Sequence, residues 1–131
     1  MQPRLLKFSD VEYVEAEFEG KNRSGYVPFG DRVLVLPDVA SDRVGSIQIT
    51  QQKQEQQTMS TVTGVIVAIG EGAFEWNSDK STKAIGRKPV VGDRIFMERF
   101  AGQPLHGLDG NLYRVMDDRC IGAIKAEQEK A

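Results

Sequence analysis

The sequence predicts an all-β domain, a small barrel or sandwich, across residues 28–124. Three observations carry that expectation. Short runs of branched apolar residues recur, glycine-based turns separate them, and no convincing helical period lies between them.

The first run, Arg32-Val33-Leu34-Val35-Leu36, stops at Pro37. The second, Val62-Thr63-Gly64-Val65-Ile66-Val67-Ala68-Ile69, closes on Gly70-Glu71-Gly72. Segment 71–89 is polar, with Phe74 and Trp76 isolated inside it, and reads as an extended hairpin ending at Arg87-Lys88-Pro89. Val90-Val91-Gly92-Asp93 is a turn that launches Arg94-Ile95-Phe96-Met97-Glu98-Arg99-Phe100. Asp109-Gly110 is a pair favoured in tight hairpin turns and leads into Tyr113-Arg114-Val115-Met116. A last short strand, Cys120-Ile121-Gly122-Ala123-Ile124, precedes a charged tail over 126–131. The first and last strands stand at the ends of the domain, so Val33, Val35, Ile121 and Ala123 are candidates for contact between subunits.

Residues 1–27 read as an appendage. Ser9-Asp10-Val11-Glu12 fits a capping box, with Val11, Val14 and Phe18 at helical spacing and Gly20 as a stop, although Tyr13 and Ala16 fall off that stripe. A short acidic helix and a frayed tail both satisfy the pattern. Asn22-Arg23-Ser24-Gly25 then reads as a linker.

With 131 residues, the chain has room for one domain with a modest core. Its 40% hydrophobic and 27% charged content is that of an ordinary globular protein, and a net charge of −2 offers no basic footprint for nucleic acid. No apolar run is long enough to span a bilayer, and Met1–Lys7 lacks the apolar core of a signal peptide. One cysteine excludes an internal disulfide, and a reducing, cytoplasmic setting is expected.

Little in the chain supports catalysis. One histidine, His106, and one cysteine, Cys120, are too few for a zinc site, so no metal and no cofactor are expected. Cys120 lies among apolar residues and reads as a structural thiol; His106 sits in a loop and reads as a surface imidazole. Gly70-Glu71-Gly72 carries a carboxylate that would repel phosphate. Asp109, Asp117 and Asp118 do not match a calcium loop. Lys80, Lys83, Arg87 and Lys88 with Trp76 would suit a single-stranded nucleic-acid surface, but Glu71, Glu75 and Asp79 offset most of that charge.

The stretch with most to say about function is Pro37–Thr61, about 25 residues rich in Gln, Ser, Thr, Lys and Glu. Near its middle stands an apolar island, Val44-Gly45-Ser46-Ile47-Gln48-Ile49. Two readings fit it: a loop that orders on a partner, and a solvated linker with Ile47 and Ile49 tucked back onto the domain.

Taken together, these pieces resemble a co-chaperonin of the GroES (chaperonin-10) family from about Pro28 to Lys125. The residues that carry the resemblance are Pro28-Phe29-Gly30-Asp31-Arg32-Val33-Leu34-Val35, Gly45-Ser46-Ile47-Gln48-Ile49, Gly64–Gly72, Val91-Gly92-Asp93-Arg94-Ile95-Phe96, Leu108–Tyr113 and Asp118–Ile124, in the family's order and spacing. Ser46 stands where the family motif has a second glycine, Gly30 replaces a frequent histidine, and segment 71–89 is longer than usual. The extended N-terminus resembles that of divergent, phage-type members.

The resemblance implies a GroES-like β-barrel with a mobile loop over about 37–61 and a roof hairpin over about 71–89 that includes Phe74, Glu75, Trp76, Asn77, Ser78, Asp79 and Lys80. It implies a heptameric ring that caps a GroEL-type chaperonin in its ATP- or ADP-bound state and encloses a substrate protein. Nucleotide chemistry would belong to the partner, and the chain itself would be no enzyme. Val44–Ile49 would be the chaperonin-binding residues. Two competitors remain: a monomeric small-barrel module that binds nucleic acid or peptide through Trp76 and the nearby lysines, and an enzyme domain with a similar barrel, which lacks zinc ligands and a cofactor-binding partner domain here.

Overall fold

The computed structural model describes residues 5–8, 11–40, 43–44, 47–48, 50–74 and 88–125. Its centre is an antiparallel sheet of six strands. In chain order these are β3 (Arg32–Pro37), β7 (Thr63–Ile69), β8 (Arg94–Met97), β9 (Gln103–His106), β10 (Leu112–Asp117) and β11 (Ile121–Ile124). Across the sheet the order is β11-β8-β7-β3-β10-β9. A second, three-stranded sheet is formed by β1 (Leu5–Phe8), β2 (Val11–Val14) and β4 (Val39–Ala40), in the order β1-β2-β4. A small hairpin pairs β5 (Arg43–Val44) with β6 (Ile47–Gln48). The mostly-β expectation holds.

β3 lies in the interior of the six-stranded sheet, between β7 and β10. Successive side chains of a strand point to opposite faces, so a continuous apolar run is stable only where both faces are covered. Val33 and Val35 enter a first cluster with Ile66, Ala73, Phe74, Ile95, Met97, Ala101 and Met116. Leu34 and Leu36 enter a second cluster with Val67 and Tyr113, against which Ala16, Phe18, Leu105 and Val115 pack. Each fully buried aliphatic side chain contributes on the order of 1.5–3 kcal/mol.

Four sequence expectations change. The Gln-rich return limb forms a helix, α1 (Gln51–Met59), where no helix was expected. Its residues are good helix formers, and Thr50 caps it by accepting a hydrogen bond from the Lys53 N–H at 3.2 Å. The N-terminal region forms the β1–β2 hairpin and not a short helix. Tyr13, which spoiled the helical stripe, is buried, and Ala16 and Phe18 reach the second cluster at strand-like spacing. His106 is on β9 and not in a loop. The strand expected over 94–100 ends at Met97, where a turn at Arg99-Phe100 begins.

The Asp109-Gly110 turn joins β9 to β10 as expected. β9 is an edge strand of the sheet and carries Pro104, which an edge tolerates because one row of N–H groups is unused there. Beyond β7, Gly70 donates from its N–H to the Arg32 carbonyl at 2.9 Å, and a Cβ there would stand 2.4 Å from the Gly30 oxygen. Only glycine permits that approach. Among the described residues no helix is long and apolar enough to cross a membrane.

Candidate functional site

The loop between β3 and β7 is secured at both limbs. On the outgoing limb, Asp38 follows Pro37 and is fully buried. Its carboxylate accepts from both Arg94 guanidinium nitrogens, Nη1 to Oδ1 at 3.2 Å and Nη2 to Oδ2 at 2.8 Å. It also accepts from Thr63 Oγ1 and, at 2.7 Å, from the Ala16 amide. A buried carboxylate is tolerable only when its acceptor sites are filled in this way. The Asp38 N–H donates to the Thr63 carbonyl at 3.1 Å, which draws the two ends of the loop together.

The return limb is held by the opposite charge. Arg114 on β10 is fully buried and donates to three carbonyls: Nε to Ala101 at 3.0 Å, Nη1 to Thr61 at 2.7 Å and Nη2 to Glu98 at 3.1 Å. Burial pushes its pKa down to about 10. The Phe100 N–H donates to the Met59 carbonyl at 3.1 Å and the Met97 N–H to Val62 at 2.7 Å. α1 is thereby tied at its C-terminal end to the turn after β8.

Between these anchors stands the β5–β6 hairpin, with Val44 opposite Ile47 and Arg43 opposite Gln48. Of the six residues expected to bind a partner, Val44, Ile47 and Gln48 thus belong to one short hairpin, while Gly45, Ser46 and Ile49 lie outside the described residues. The arrangement is an apolar tip on an anchored stem. Among the described residues no three metal-ligating side chains come together.

The N-terminal region is built into this site. β2 pairs with β4, placing Tyr13 opposite Ala40 and Val14 opposite Val39. The Tyr13 hydroxyl donates to the Gln57 carbonyl at 3.3 Å and lies 3.3 Å from Ser60 Oγ. Tyr13 therefore touches both limbs of the loop.

The remaining expected site residues fall as follows. Phe74 is buried in the first cluster with φ 63°, and its N–H donates to Asp118 Oδ2 at 2.7 Å. Glu75, Trp76, Asn77, Ser78, Asp79 and Lys80 lie outside the described residues. Val33 and Val35 are fully buried within the chain, so their side chains have no surface to offer another subunit. That expectation is corrected by the two-sided burial of β3. Ile121 is half-buried and Ala123 exposed, both on the edge strand β11. His106 is exposed and 3.9 Å from Glu55, a contact worth little at the surface. Burial, with the carboxylates of Glu98 and Asp117, raises the Cys120 pKa, which keeps it a thiol and a poor nucleophile.

Sequence reasoning missed Asp38, Arg94 and Arg114. Asp38 and Arg94 are 56 positions apart and Arg114 and Thr61 53 apart, and no local pattern joins them.

Residues 26–125 match the family model for the chaperonin 10 kDa subunit. The chain is 31% identical over 98 residues to the co-chaperonin GroES of Lactobacillus helveticus, covering 74% of this chain and 95% of that protein. It is 32% identical over 99 residues to the co-chaperonin GroES of Lacticaseibacillus zeae, covering 74% and 96%. It is 27% identical over 97 residues to that of Bacillus sp. strain PS3, covering 74% and 95%. The two limbs of the loop, the hairpin and the six-stranded sheet all fall inside the matched segment, and the chain belongs to the chaperonin-10 (GroES) family.

Proposed function

We propose that this chain is a co-chaperonin that assembles into a ring, heptameric as the family implies, and caps a GroEL-type chaperonin when that partner holds nucleotide. The observation that carries the reading is the loop: an apolar hairpin tip, held on a stem with both limbs anchored, within a segment that matches the family from end to end. The chain regulates its partner and is not itself an enzyme. A cytoplasmic location follows from the same family reading.

Val44, Ile47 and Ile49, with Gly45, Ser46 and Gln48, would enter an apolar groove of the partner. Each fully buried isoleucine would contribute on the order of 1.5–3 kcal/mol. Ordering the tip costs roughly 1–2 kcal/mol per residue fixed. One loop therefore binds weakly, and several carried on one ring bind tightly through effective concentration. Weak single contacts also permit release when the partner's nucleotide state changes.

A ring requires two unlike surfaces on each subunit. Two are available. Tyr26, Val27 and Phe29 are exposed, on a stretch of chain outside the strands, and among the described residues β11 is the outermost strand at one edge of the sheet, beside exposed Phe96. Subunits joined through these would bury both. The register shifts in β3–β7 and β8–β11 are of the kind that bends a sheet, and a barrel of the family's type would need such bends. Segment 71–89 would form the roof over the enclosed substrate protein.

The test is co-elution with a GroEL-type ring, with and without ATP. Binding is expected with nucleotide, and Ile47→Asp should abolish it while leaving the circular dichroism unchanged. An Ile47→Asp chain that still caps would remove the loop from the mechanism. A wild-type chain that is a monomer and ignores the ring would favour a monomeric binding module.

A further inference from the structure

We infer that the N-terminal hairpin is a clamp that presets the partner-binding loop, with Tyr13 and the Ala16 amide as its positioning groups. The inference rests on the co-chaperonin reading of that loop. Residues 1–25 lie outside the family match, yet Tyr13, Val14 and Ala16 from this region contact the loop's stem. β2 extends the outgoing limb by pairing with β4. The buried Tyr13 crosses to the return limb, where its hydroxyl meets Gln57 and Ser60 at the end of α1. The Ala16 N–H fills an acceptor site on Asp38, the buried carboxylate at which the loop departs. Three contacts of different kinds thus converge on one function, holding the two limbs at a set separation.

The physical consequence is entropic. Every residue of the loop that must be fixed on binding costs affinity, and a limb already fixed in the free protein costs none at that moment. The clamp removes that cost for the limbs it holds. It also fixes the direction from which the tip leaves the ring, so that several tips on one ring can engage together.

The experiment uses the full chain carrying Tyr13→Ala, read by amide hydrogen exchange of the protein alone and by titration against a GroEL-type ring with ATP. Amides of 39–40 and 51–60 should exchange at least tenfold faster, amides of β3 and β7 should keep their protection, and affinity for the ring should fall at least tenfold. Unchanged exchange in the loop overturns the clamp. Faster exchange with unchanged affinity overturns its role in binding. Should Tyr13→Ala strip protection from β3 and β7 as well, Tyr13→Phe decides, because it keeps the ring and removes the hydroxyl; faster exchange confined to α1 and Ser60 supports the clamp, and none overturns it. The exchange arm needs no partner, so a wild-type chain that fails to bind the ring counts against the co-chaperonin reading alone.

Discussion

The two faces of the six-stranded sheet are closed by different parts of the chain. The first face is packed by Ile66, Phe74, Ile95, Met97 and Met116, all within the segment shared with the family. The second is packed by Leu34, Leu36, Val67 and Tyr113, and its cover includes Ala16 and Phe18 from outside that segment. Among the described residues the first face is closed from within the shared segment, and the second borrows. The difference shows how an addition to an established fold becomes structural: it finds apolar surface to cover, then fills an acceptor on a buried charge, as the Ala16 amide does for Asp38.

Three measurements sharpen or break the contrast. Ile66→Ala, at a fully buried position on the first face, should cost about 2–5 kcal/mol in denaturant unfolding, because the packed surroundings cannot collapse into the cavity. Phe18→Ala on the second face should cost less, about 1 kcal/mol, since the ring is only half-buried. Equal costs would make the N-terminal region as central as the shared core, and no cost at all would make it a passenger. The smallest effect concerns Tyr113, whose hydroxyl donates to Asp109 across the hairpin turn.

Burial, and then the hydrogen bond to Asp109, push the Tyr113 pKa up to about 12 from its ordinary value near 10. Although burial acts the other way, hydrogen bonds from Tyr113 and Asn111 hold the Asp109 carboxyl below its ordinary value. A phenol whose pKa is raised by folding contributes stability that is fully present below its unfolded pKa, near 10, and is lost as the pH rises towards about 12. Tyr113→Phe should therefore be about 0.5 kcal/mol less stable at pH 8, and the gap should close as the pH climbs through 10 to 12. A gap that does not change with pH would place the effect in packing and not in the hydrogen bond.

The parts of the fold legible in the sequence are those written in local pattern. Val33-Leu34-Val35-Leu36 and Val65-Ile66-Val67 were legible as strands because short branched apolar runs suit a sheet, but the two-sided burial of β3 was not, since its place at the start of the domain had suggested an edge. The Asp109-Gly110 turn was legible from two residues. α1 was not, because Gln51–Met59 has no apolar stripe, and its stability comes from Thr50 at one end and the anchoring of Met59 and Thr61 at the other. β1 and β2 were misread because a capping-box pattern and a half-alternating strand share the same few residues, and pairing with β4 decided between them. The loop tip was legible as an apolar island; its clamped stem was not, since Asp38, Arg94 and Arg114 meet only in three dimensions.

Arg114 has one more consequence, for how the chain finds its topology. Its guanidinium is satisfied by the carbonyls of Thr61, Glu98 and Ala101, which come from segments on either side of the long excursion over 71–89. A chain that threads the return limb along the wrong side of the sheet, or closes the turn after β8 out of place, would bury the same cation with its donors unmet, at a cost of several kcal/mol. Arg114 therefore proofreads the fold: misassembled versions carry a stranded charge, and only the correct threading silences it.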